Sequence, residues 1–457
     1  MVTTSESLLT STGQALDTLA PRSVSLCVAF SGGLDSTVLL DMLRRLRPGS
    51  VRAVHINHGL QAEAADWGRH CERIAHAMAV PCTVIRAQVE TRPGESVEAL
   101  ARLARYGALA ENLDSNETLV TAHHQEDQLE TVLLALVRGS GVHGLAAMAS
   151  SGTMLGMPLI RPLLDTRRAE LEAYARAAGL EWVEDPSNLD TAFDRNFLRH
   201  QVLPVLQQRW PAAARGATRS ARLSAAAMQL LDERAAEDLA GRYLGCCLQV
   251  SALRVLGRER RANALRWFCR HLELAVPSES QCHEALASLL VDRDDAEPLA
   301  AWPGVRIRRY RGLLYLYAEQ ADPARLASLA PLVWAGAFDG SELLVCAVRG
   351  RVRLVAAPGP GLASDYQAAA VELRFRSGGE KLRCRPGGPT RELKKLLQEM
   401  GVLPWMRSNI PLLYVDNQLA AVGSLWLNHD HPAVVNENGR VLDWRGYSLL
   451  QSPFSPP

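Results

Sequence analysis

Apolar runs alternate with amphipathic segments through the first 140 residues of the chain. The continuous apolar run 24–30 predicts a strand buried on both faces, and the pattern predicts three further short strands at 51–56, 82–87 and 118–122. Apolar residues at helical spacing predict helices at 36–46, 62–79, 96–113 and 127–138. Strands that alternate with helices of this length indicate βαβ units, so the pattern predicts an α/β fold with a doubly wound parallel sheet. Ligands bind beyond the carboxyl ends of the strands in such a sheet.

The remainder of the chain follows other patterns. Residues 212–290 have helical spacing, 298–317 resemble a short β unit, and a Pro/Gly/Ala-rich interval at 356–370 is typical of a linker. The last 85 or so residues suit a small α/β or β-rich domain. We therefore expect an α/β domain, a mainly helical domain, a connecting region and a C-terminal domain, at 1–211, 212–320, 321–370 and 371–457.

Charge is distributed unevenly, although the formal net charge of the 457-residue chain is only +1. Residues 1–190 contain 16 arginines, no lysine and 23 acidic residues, for a net charge of −7. Residues 191–457 contain 34 basic and 26 acidic residues, for a net charge of +8. An acidic first part followed by a basic second part indicates that residues 191–457 bind a polyanion. Six arginines and no acidic residue occur between 195 and 231, and residues 374–407 have a net charge of +6.

The cysteines and the hydropathy pattern exclude several protein classes. Nine cysteines without C-x-x-C spacing indicate reduced thiols, and favour neither a disulfide framework, a zinc site nor an iron–sulfur cluster. Residues 1–20 lack the features of a signal peptide, and no apolar run approaches the length of a membrane span. We expect a cytoplasmic protein without a membrane partner. The sequence does not determine the oligomeric state, and a homodimer is one possible assembly.

The turn after the first predicted strand has the composition of a phosphate-binding loop. Its residues are Ser31, Gly32, Gly33, Leu34, Asp35 and Ser36. Two glycines permit close backbone approach, and the following helix presents unpaired N–H groups to an anion. The loop lacks the lysine of a Walker A motif. Asp35 would repel phosphates unless a cation such as Mg²⁺ lay between them; the alternative is a plain Gly-Gly turn in which Asp35 and Ser36 cap the helix.

Two carboxylates follow the fourth predicted strand. Asp127 and Glu130 are three residues apart on one helix, near the predicted phosphate loop. They could hold Mg²⁺, bind an ammonium group or accept its proton, or they could simply cap the helix. Arg105 could offset phosphate charge or lie on a solvated helix face. The spacing of His123 and His124 does not favour a metal site, and packing or nucleoside contact suits them better.

These motifs resemble a known family. Ser-Gly-Gly-x-Asp-Ser after an apolar strand is similar to the signature of PP-loop ATP pyrophosphatases, which split ATP into AMP and pyrophosphate. Further segments resemble the tRNA(Ile)-lysidine synthetase family over almost the whole chain. They are 55–60, 98–106, 122–131, 138–145, 185–188, 194–199, 393–395, 404–407 and 411–413. That family usually has two adjacent aspartates where this chain has Glu126 and Asp127, so a lysine or metal role rests on Asp127, and the role of Glu126 stays open.

The resemblance implies a reaction and a set of partners. In that family the C2 oxygen of the wobble cytidine of tRNA(Ile) with a CAU anticodon attacks ATP, and free lysine then displaces AMP to form lysidine. It implies ATP and Mg²⁺ binding by the loop, with Asp35 and Asp127 as metal ligands, and catalytic roles for Asp35, Asp127, Glu130 and Arg105. It also implies tRNA contacts from Arg195, Asn196, Arg199, Lys394, Lys395 and Arg407. The alternatives are a PP-loop tRNA thiolase and a tRNA-binding protein with a decayed ATP site; the missing cysteine pattern and the intact loop argue against them.

Overall fold

The computed structural model contains two compact units, Met1–Leu230 and Leu231–Pro457. It describes residues 4–22, 24–57, 64–87, 97–184, 186–291, 298–321, 332–333, 342–346, 350–364, 366 and 370–445. The segment 58–60 and Asp185, which contribute to the resemblance above, lie outside the described residues.

The first unit alternates helices and strands, as the pattern predicts. Its helices are α1 (Thr4–Leu19), α2 (Leu34–Leu46), α3 (Ala64–Ala77), α4 (Val97–Glu111), α5 (Gln125–Val137), α6 (Val142–Leu145), α7 (Arg168–Ala177), α8 (Asp194–Phe197), α9 (Leu203–Arg209) and α10 (Ala213–Leu239), the last of which continues into the second unit. Its strands are β1 (Ser25–Ala29), β2 (Val51–Asn57), β3 (Cys82–Arg86), β4 (Glu117–Val120), β5 (Ser151–Met154) and β6 (Met157–Ile160). A 3₁₀ turn at Pro186–Leu189 and a π-helical turn at Leu198–Val202 complete it.

The six strands form one sheet in the order β3-β2-β1-β4-β6-β5. All neighbouring pairs are parallel except β5 with β6. The chain runs outward from β1 to β3 and then returns to place β4 on the other side of β1. This reversal opens a crevice at the carboxyl ends of β1 and β4, where ligands bind in open α/β sheets.

Apolar side chains cover both faces of this sheet, because alternate residues of a strand point to opposite sides. Leu26 and Val28 of β1 pack in a core with α1, α2, α3 and α7. Cys27, between them, packs on the other face with Tyr106 and Leu109 of α4. The doubly wound α/β fold expected from the sequence is therefore confirmed. The pattern did not predict the β5–β6 hairpin or the helices α1, α6, α7, α8 and α9.

The second unit begins with helices against an antiparallel sheet. The helices are α11 (Val250–Arg254), α12 (Arg258–His271) and α13 (Glu279–Leu289). The strands are β7 (Tyr243–Leu244), β8 (Cys247–Gln249), β9 (Leu299–Trp302), β10 (Val305–Tyr310) and β11 (Leu313–Ala318), in the order β7-β8-β11-β10-β9. A short 3₁₀ turn, Glu319–Ala321, follows them. The helical spacing of residues 212–290 predicts that the adjacent Cys246 and Cys247 lie in a helix. They lie instead at a β-hairpin, because β7 and β8 interrupt the helical region.

The rest of the second unit is β-rich. Its strands are β12 (Leu332–Val333), β13 (Glu342–Cys346), β14 (Gly350–Ala356), β15 (Gly361–Leu362), β16 (Val371–Arg374), β17 (Lys381–Leu382), β18 (Arg391–Glu392), β19 (Leu412–Val415), β20 (Gln418–Val422), β21 (Trp426–Leu427), β22 (Val434–Val435) and β23 (Arg440–Arg445), with α14 at Leu393–Glu399 and a 3₁₀ turn at Pro404–Asn409. They form two five-stranded sheets and a hairpin. The predicted connecting region, 321–370, contains β12 to β15, which pair with later strands of these sheets.

Candidate active site

The phosphate loop joins β1 to α2 at the crevice of the first unit. Ser31 and Ser36 hold the loop closed, since their Oγ atoms lie 3.0 Å apart. The Ser36 hydroxyl also donates to the carbonyl of Gly33, the residue that precedes α2. The loop thus delivers backbone N–H groups and hydroxyls to one point at the start of a helix, which is an arrangement that binds anions.

Gly32 occupies the tightest position of this loop. Its φ of +78° lies in the left-handed region, which residues with a Cβ adopt at a cost. A Cβ at this position would lie 2.8 Å from Sγ of the buried Cys71. The Gly32 carbonyl accepts a hydrogen bond from the N–H of Val183, so a distant loop also holds the turn in place. Glycine is required here both for its φ and for the closeness of the thiol.

The second part of the crevice is the start of α5, immediately after β4. Asp127 has a capping role here, because its Oδ2 accepts the N–H of His124 over 2.9 Å. Glu126 accepts the N–H of Arg168, the first residue of α7, over 2.9 Å. The role of Glu126 that the sequence left open therefore includes joining two helix starts. Asp127 also lines the cavity described below, so its capping role does not remove it from the crevice.

His124 lies among three carboxylates and is almost completely buried. Its Nε2 is 3.6 Å from Oδ2 of Asp35 and 3.4 Å from Oδ2 of Asp127, and its Nδ1 is 3.1 Å from Oε2 of Glu126. Burial disfavours the imidazolium, but the surrounding carboxylates outweigh it and raise the pKa of His124 to about 10. Burial likewise opposes ionisation of Asp35, yet His124 holds its pKa below the ordinary value.

The pKa of the adjacent His123 is shifted in the opposite direction. Burial lowers its pKa to about 4, although Asp127 opposes the shift. Its Nδ1 lies 2.8 Å from Oγ1 of Thr121, and the ring lines the cavity beside the phosphate loop. Two neighbouring histidines are therefore held in different protonation states at neutral pH, one cationic and one neutral.

Glu130 and Arg199 form a buried ion pair on the far side of Asp127. Arg199 donates from Nε to Oε1 of Glu130 over 2.8 Å, and its Nη2 lies 3.2 Å from Oδ1 of Asp127. The Glu130 side chain is fully buried, and this burial raises its pKa in spite of Arg199. Arg199 belongs to the π-helical turn between α8 and α9, a type of irregularity that is frequent at functional sites.

Two cavities meet at this cluster. One has a volume of about 360 Å³ and is lined by the phosphate loop, Arg105, His123 and Asp127. The other has a volume of about 500 Å³ and is lined by residues that include Glu126, Glu130 and His200. Side chains common to both are Arg168, Glu184, Asn188 and Arg199. The ion pair of Arg199 with the two carboxylates thus lies at the boundary between the cavities.

The structure brings together most, but not all, of the residues singled out from the sequence. Arg105 lines the first cavity. Arg195 lies against α5, with Nη2 3.4 Å from Oγ1 of Thr131, and Asn196 donates to the carbonyl of Asp190. The other three candidate tRNA-binding residues belong to the second unit. Lys394 and Lys395 are exposed on α14. Arg407 donates to the carbonyl of Val402 and to the Tyr310 hydroxyl.

Sequence reasoning missed two contributors, His124 and the segment around Val183. The sequence favours packing or nucleoside contact for the adjacent histidines, and nothing local shows that His124 is surrounded by carboxylates. Within the part of the chain that the structure describes, no group of three or more His, Cys, Asp or Glu side chains is arranged to hold a metal ion. However, Oδ1 of Asp35 is buried without a hydrogen-bond partner, so it is available to a cation.

Comparison with known proteins agrees with this geometry. A family model described as PP-loop domain matches residues 7–206, which contain the phosphate loop and the carboxylates. The chain is 38% identical over 426 residues to tRNA(Ile)-lysidine synthase of Methylococcus capsulatus, with 91% of this chain and 95% of that protein covered. The chain belongs to the tRNA(Ile)-lysidine synthase family.

Other comparisons extend this assignment. The chain is 41% identical to tRNA(Ile)-lysidine synthase of Alkalilimnicola ehrlichii over 90% of this chain and 91% of that one. Models described as TilS substrate binding domain and TilS substrate C-terminal domain match residues 248–315 and 371–444. A solved U34-tRNA thiolase, NcsA from Methanococcus maripaludis, is 16% identical with a TM-score of 0.40, covering 48% of this chain and 80% of that chain. The thiolase is only a distant structural neighbour.

Proposed function

We propose that this chain ligates free lysine to C2 of the wobble cytidine of tRNA(Ile) with a CAU anticodon, using ATP. The C2 oxygen attacks the α-phosphorus of ATP, so an O–P bond forms and pyrophosphate leaves. The neutral ε-amine of lysine then attacks C2, and the C2–O bond breaks to release AMP. The product, lysidine, pairs with A instead of G, which changes decoding and aminoacylation from methionine to isoleucine. The observation that carries the proposal is a phosphate loop and two buried carboxylates around one crevice in a member of this family.

The phosphate loop and Arg105 bind and activate ATP in the first step, in which the C2 oxygen attacks the α-phosphorus. Ser31, Gly33 and Ser36 present donors at the start of α2, where the triphosphate of ATP binds. Arg105 lines the same cavity and offsets the negative charge that develops at the α-phosphate. The location of this site at the junction of β1 and β4 leaves room for a nucleotide base to enter from the crevice.

Asp35 fits a magnesium-binding role. Asp35 lines a cavity suited to phosphates and its Oδ1 is buried without a hydrogen-bond partner, and Mg²⁺ in such sites is commonly held by one or two carboxylates together with substrate phosphates. Mg²⁺ would neutralise pyrophosphate as it leaves. Asp127 is a weaker candidate for the second ligand, because its two oxygens already accept from His124 N–H and Arg199. A contact between Asp127 and the metal would require Arg199 to move.

Asp127 and Glu130 act in the second step, in which the lysine amine attacks C2. The ε-ammonium of lysine is protonated at neutral pH and must lose a proton before it can attack C2. Glu130 lines a cavity together with Glu126 and Glu184, a set of side chains that attracts an ammonium group. Burial raises the pKa of Glu130, which makes it a better proton acceptor than an ordinary carboxylate. Arg199 donates to both of its oxygens and must move before Glu130 can accept the proton.

We propose that the anticodon end of the tRNA contacts Arg195, Asn196 and Arg199. The rest of the tRNA contacts Lys394, Lys395 and Arg407. Exposed Lys394 and Lys395 suit phosphate contacts. No helix among the described residues is both long and apolar enough to cross a membrane, and we propose that the protein acts in the cytoplasm. A homodimer is compatible with the proposal.

The test is lysine transfer to RNA. The protein is incubated with ATP, Mg²⁺, labelled lysine and a transcript of tRNA(Ile) with a CAU anticodon, and the label recovered in RNA is measured. We expect transfer that depends on ATP and on the wobble cytidine, and none to a transcript with uridine at that position. Sulfur transfer without lysine transfer, or binding without transfer, would contradict the proposal.

A further inference from the structure

The solvent-facing side of α10 has an unusual charge pattern. Arg215, Arg219 and Arg222 follow at spacings of four and three residues, so at about 100° per residue they fall within an arc of about 60°. All three side chains are exposed. In the described part of the chain, none of the three forms an ion pair, whereas Arg234 farther along the same helix pairs with Glu237 and Asp238. Like charges at this spacing repel one another.

The opposite side of α10 lies directly against the active-site helix. Ala214 packs with Leu129 of α5 and Leu203 of α9, and Ala217 lies beside them. Leu129 lies between Asp127 and Glu130 in the chain, so the same short helix carries both the packing contact and the carboxylates. Packed helices are separated by about 8–10 Å. A ligand held by the three arginines would therefore lie one helix away from the reacting groups.

An exposed aromatic side chain precedes this helix. Trp210 has 57% of its surface exposed, and the guanidinium carbon of Arg209 lies 5.7 Å from the centroid of its ring. Its backbone N–H donates to the carbonyl of Leu206 over 2.7 Å, so the residue is held at the end of α9. Trp210 precedes Arg215 by five residues in the chain, and an exposed indole near arginines is a combination that binds unpaired RNA bases next to their phosphates.

We propose that Arg215, Arg219, Arg222 and Trp210 form a binding surface for the anticodon stem-loop of tRNA. The arginines contact phosphates of the stem, and the indole stacks on an unpaired base of the loop. The choice of tRNA as the RNA that binds this surface rests on the proposed function. The rest of the argument does not depend on that function. It explains why the chain keeps three unpaired, mutually repelling arginines on one side of a helix, since phosphates relieve that repulsion.

The arginines are tested by the salt dependence of RNA binding, measured without ATP or lysine. Each lost phosphate contact lowers the log–log slope by about 0.7–0.9, so the triple variant Arg215→Gln/Arg219→Gln/Arg222→Gln should lose about 2 to 3 units. The matched control, Arg22→Gln/Arg69→Gln/Arg73→Gln, removes the same charge from exposed arginines that already have carboxylate partners. Its slope should stay within half a unit of the unsubstituted protein, by the same counting.

Trp210 and the assignment to the stem-loop need a second measurement. Trp210→Ala should weaken binding roughly tenfold at every salt concentration without changing the slope, because stacking releases no counterions. Val205→Ala, at another exposed position, should not weaken it. All variants are compared for thermal unfolding and ATP binding to exclude misfolding. The isolated anticodon stem-loop should show the same losses as the whole tRNA.

Failure of this surface differs from failure of the proposed function. An unchanged slope in the triple variant, or losses with whole tRNA but not with the stem-loop, would overturn the surface even if lysine transfer is observed. Tight binding without lysine transfer would overturn the proposed function and leave the surface intact.

Discussion

Nε2 of His124 lies 3.6 Å from Oδ2 of Asp35, and this ion pair joins the phosphate loop to the carboxylate motif of α5. The two residues come from turns that follow different strands, β1 and β4. The pairing leaves Oδ1 of Asp35 buried without a partner beside the cavity. It therefore orients one oxygen of Asp35 for a ligand while neutralising the other.

Asp35→Asn should abolish pyrophosphate release while tRNA affinity stays nearly unchanged. The amide keeps the size of the side chain but cannot hold a cation against the triphosphate. Pyrophosphate release and filter binding of tRNA report the two properties separately. Asp66→Asn is a suitable control, since this exposed carboxylate of α3 pairs with the exposed Arg69. Wild-type turnover by Asp35→Asn would refute the role of Asp35 in cation and phosphate binding.

His124 should make stability depend on pH above neutrality. Its folded pKa of about 10 exceeds the ordinary 6.5, so its contribution is fully present below about pH 6.5 and is lost as pH rises towards 10. We expect His124→Gln to show a flatter profile between pH 7 and 10, measured by urea unfolding.

The matched control for that profile is His123→Gln. The folded pKa of His123 is lowered to about 4, so its protonation penalises the folded state only as pH falls below about 6.5. This variant should therefore retain the loss of stability above pH 7 and differ from the unsubstituted protein only in acid. Identical profiles for the two variants above pH 7 would contradict the assignment of the cation to His124.

The Arg199–Glu130 pair should show strong coupling. Arg199→Met leaves the fully buried Glu130 without its cation, and such a loss typically lowers the free energy of unfolding by about 3 kcal/mol or more. The double variant Arg199→Met/Glu130→Met should recover much of this loss, because an apolar pair needs no charge compensation. Urea unfolding of the single and double variants completes the cycle. Simple addition of the two single effects would show that the pair is not coupled.

Gly32→Ala should reduce both stability and ATP binding. The substitution places a Cβ at a φ of +78° and 2.8 Å from Cys71 Sγ, so the loop must move or the thiol must be displaced. The left-handed conformation alone costs an alanine roughly 1–2 kcal/mol. Adding Cys71→Ala should relieve the contact but not the conformational cost, so thermal unfolding should recover in part. Gly216→Ala, in α10 with open space around it, should not lower the unfolding temperature.

Much of the first unit follows from local pattern. The strand and helix patterns of the first 140 residues indicate β1 to β4 and α2 to α5, and the apolar run of β1 has the simple signature of a strand buried on both faces. Ser31 to Ser36 can be identified because glycines and hydroxyls after a buried strand suit a phosphate loop. Asp127 and Glu130 are conspicuous because three-residue spacing places them near each other on a helix. Such inferences need only neighbours in the chain.

Other features exist only because distant segments meet. The sheet order places β4 beside β1, and this contact brings His124 to Asp35 across 89 positions of the chain. The pairing of Arg199 with Glu130 and the hydrogen bond from Val183 to Gly32 depend on the same folding. The direction of each pKa shift also depends on burial and on the surrounding charges, which adjacent histidines experience differently. By itself, the sequence determined which residue types were available for phosphate and amine chemistry. Only the tertiary structure decided which of them are paired, buried and charged, because those properties arise from contacts between strands and helices far apart in the chain.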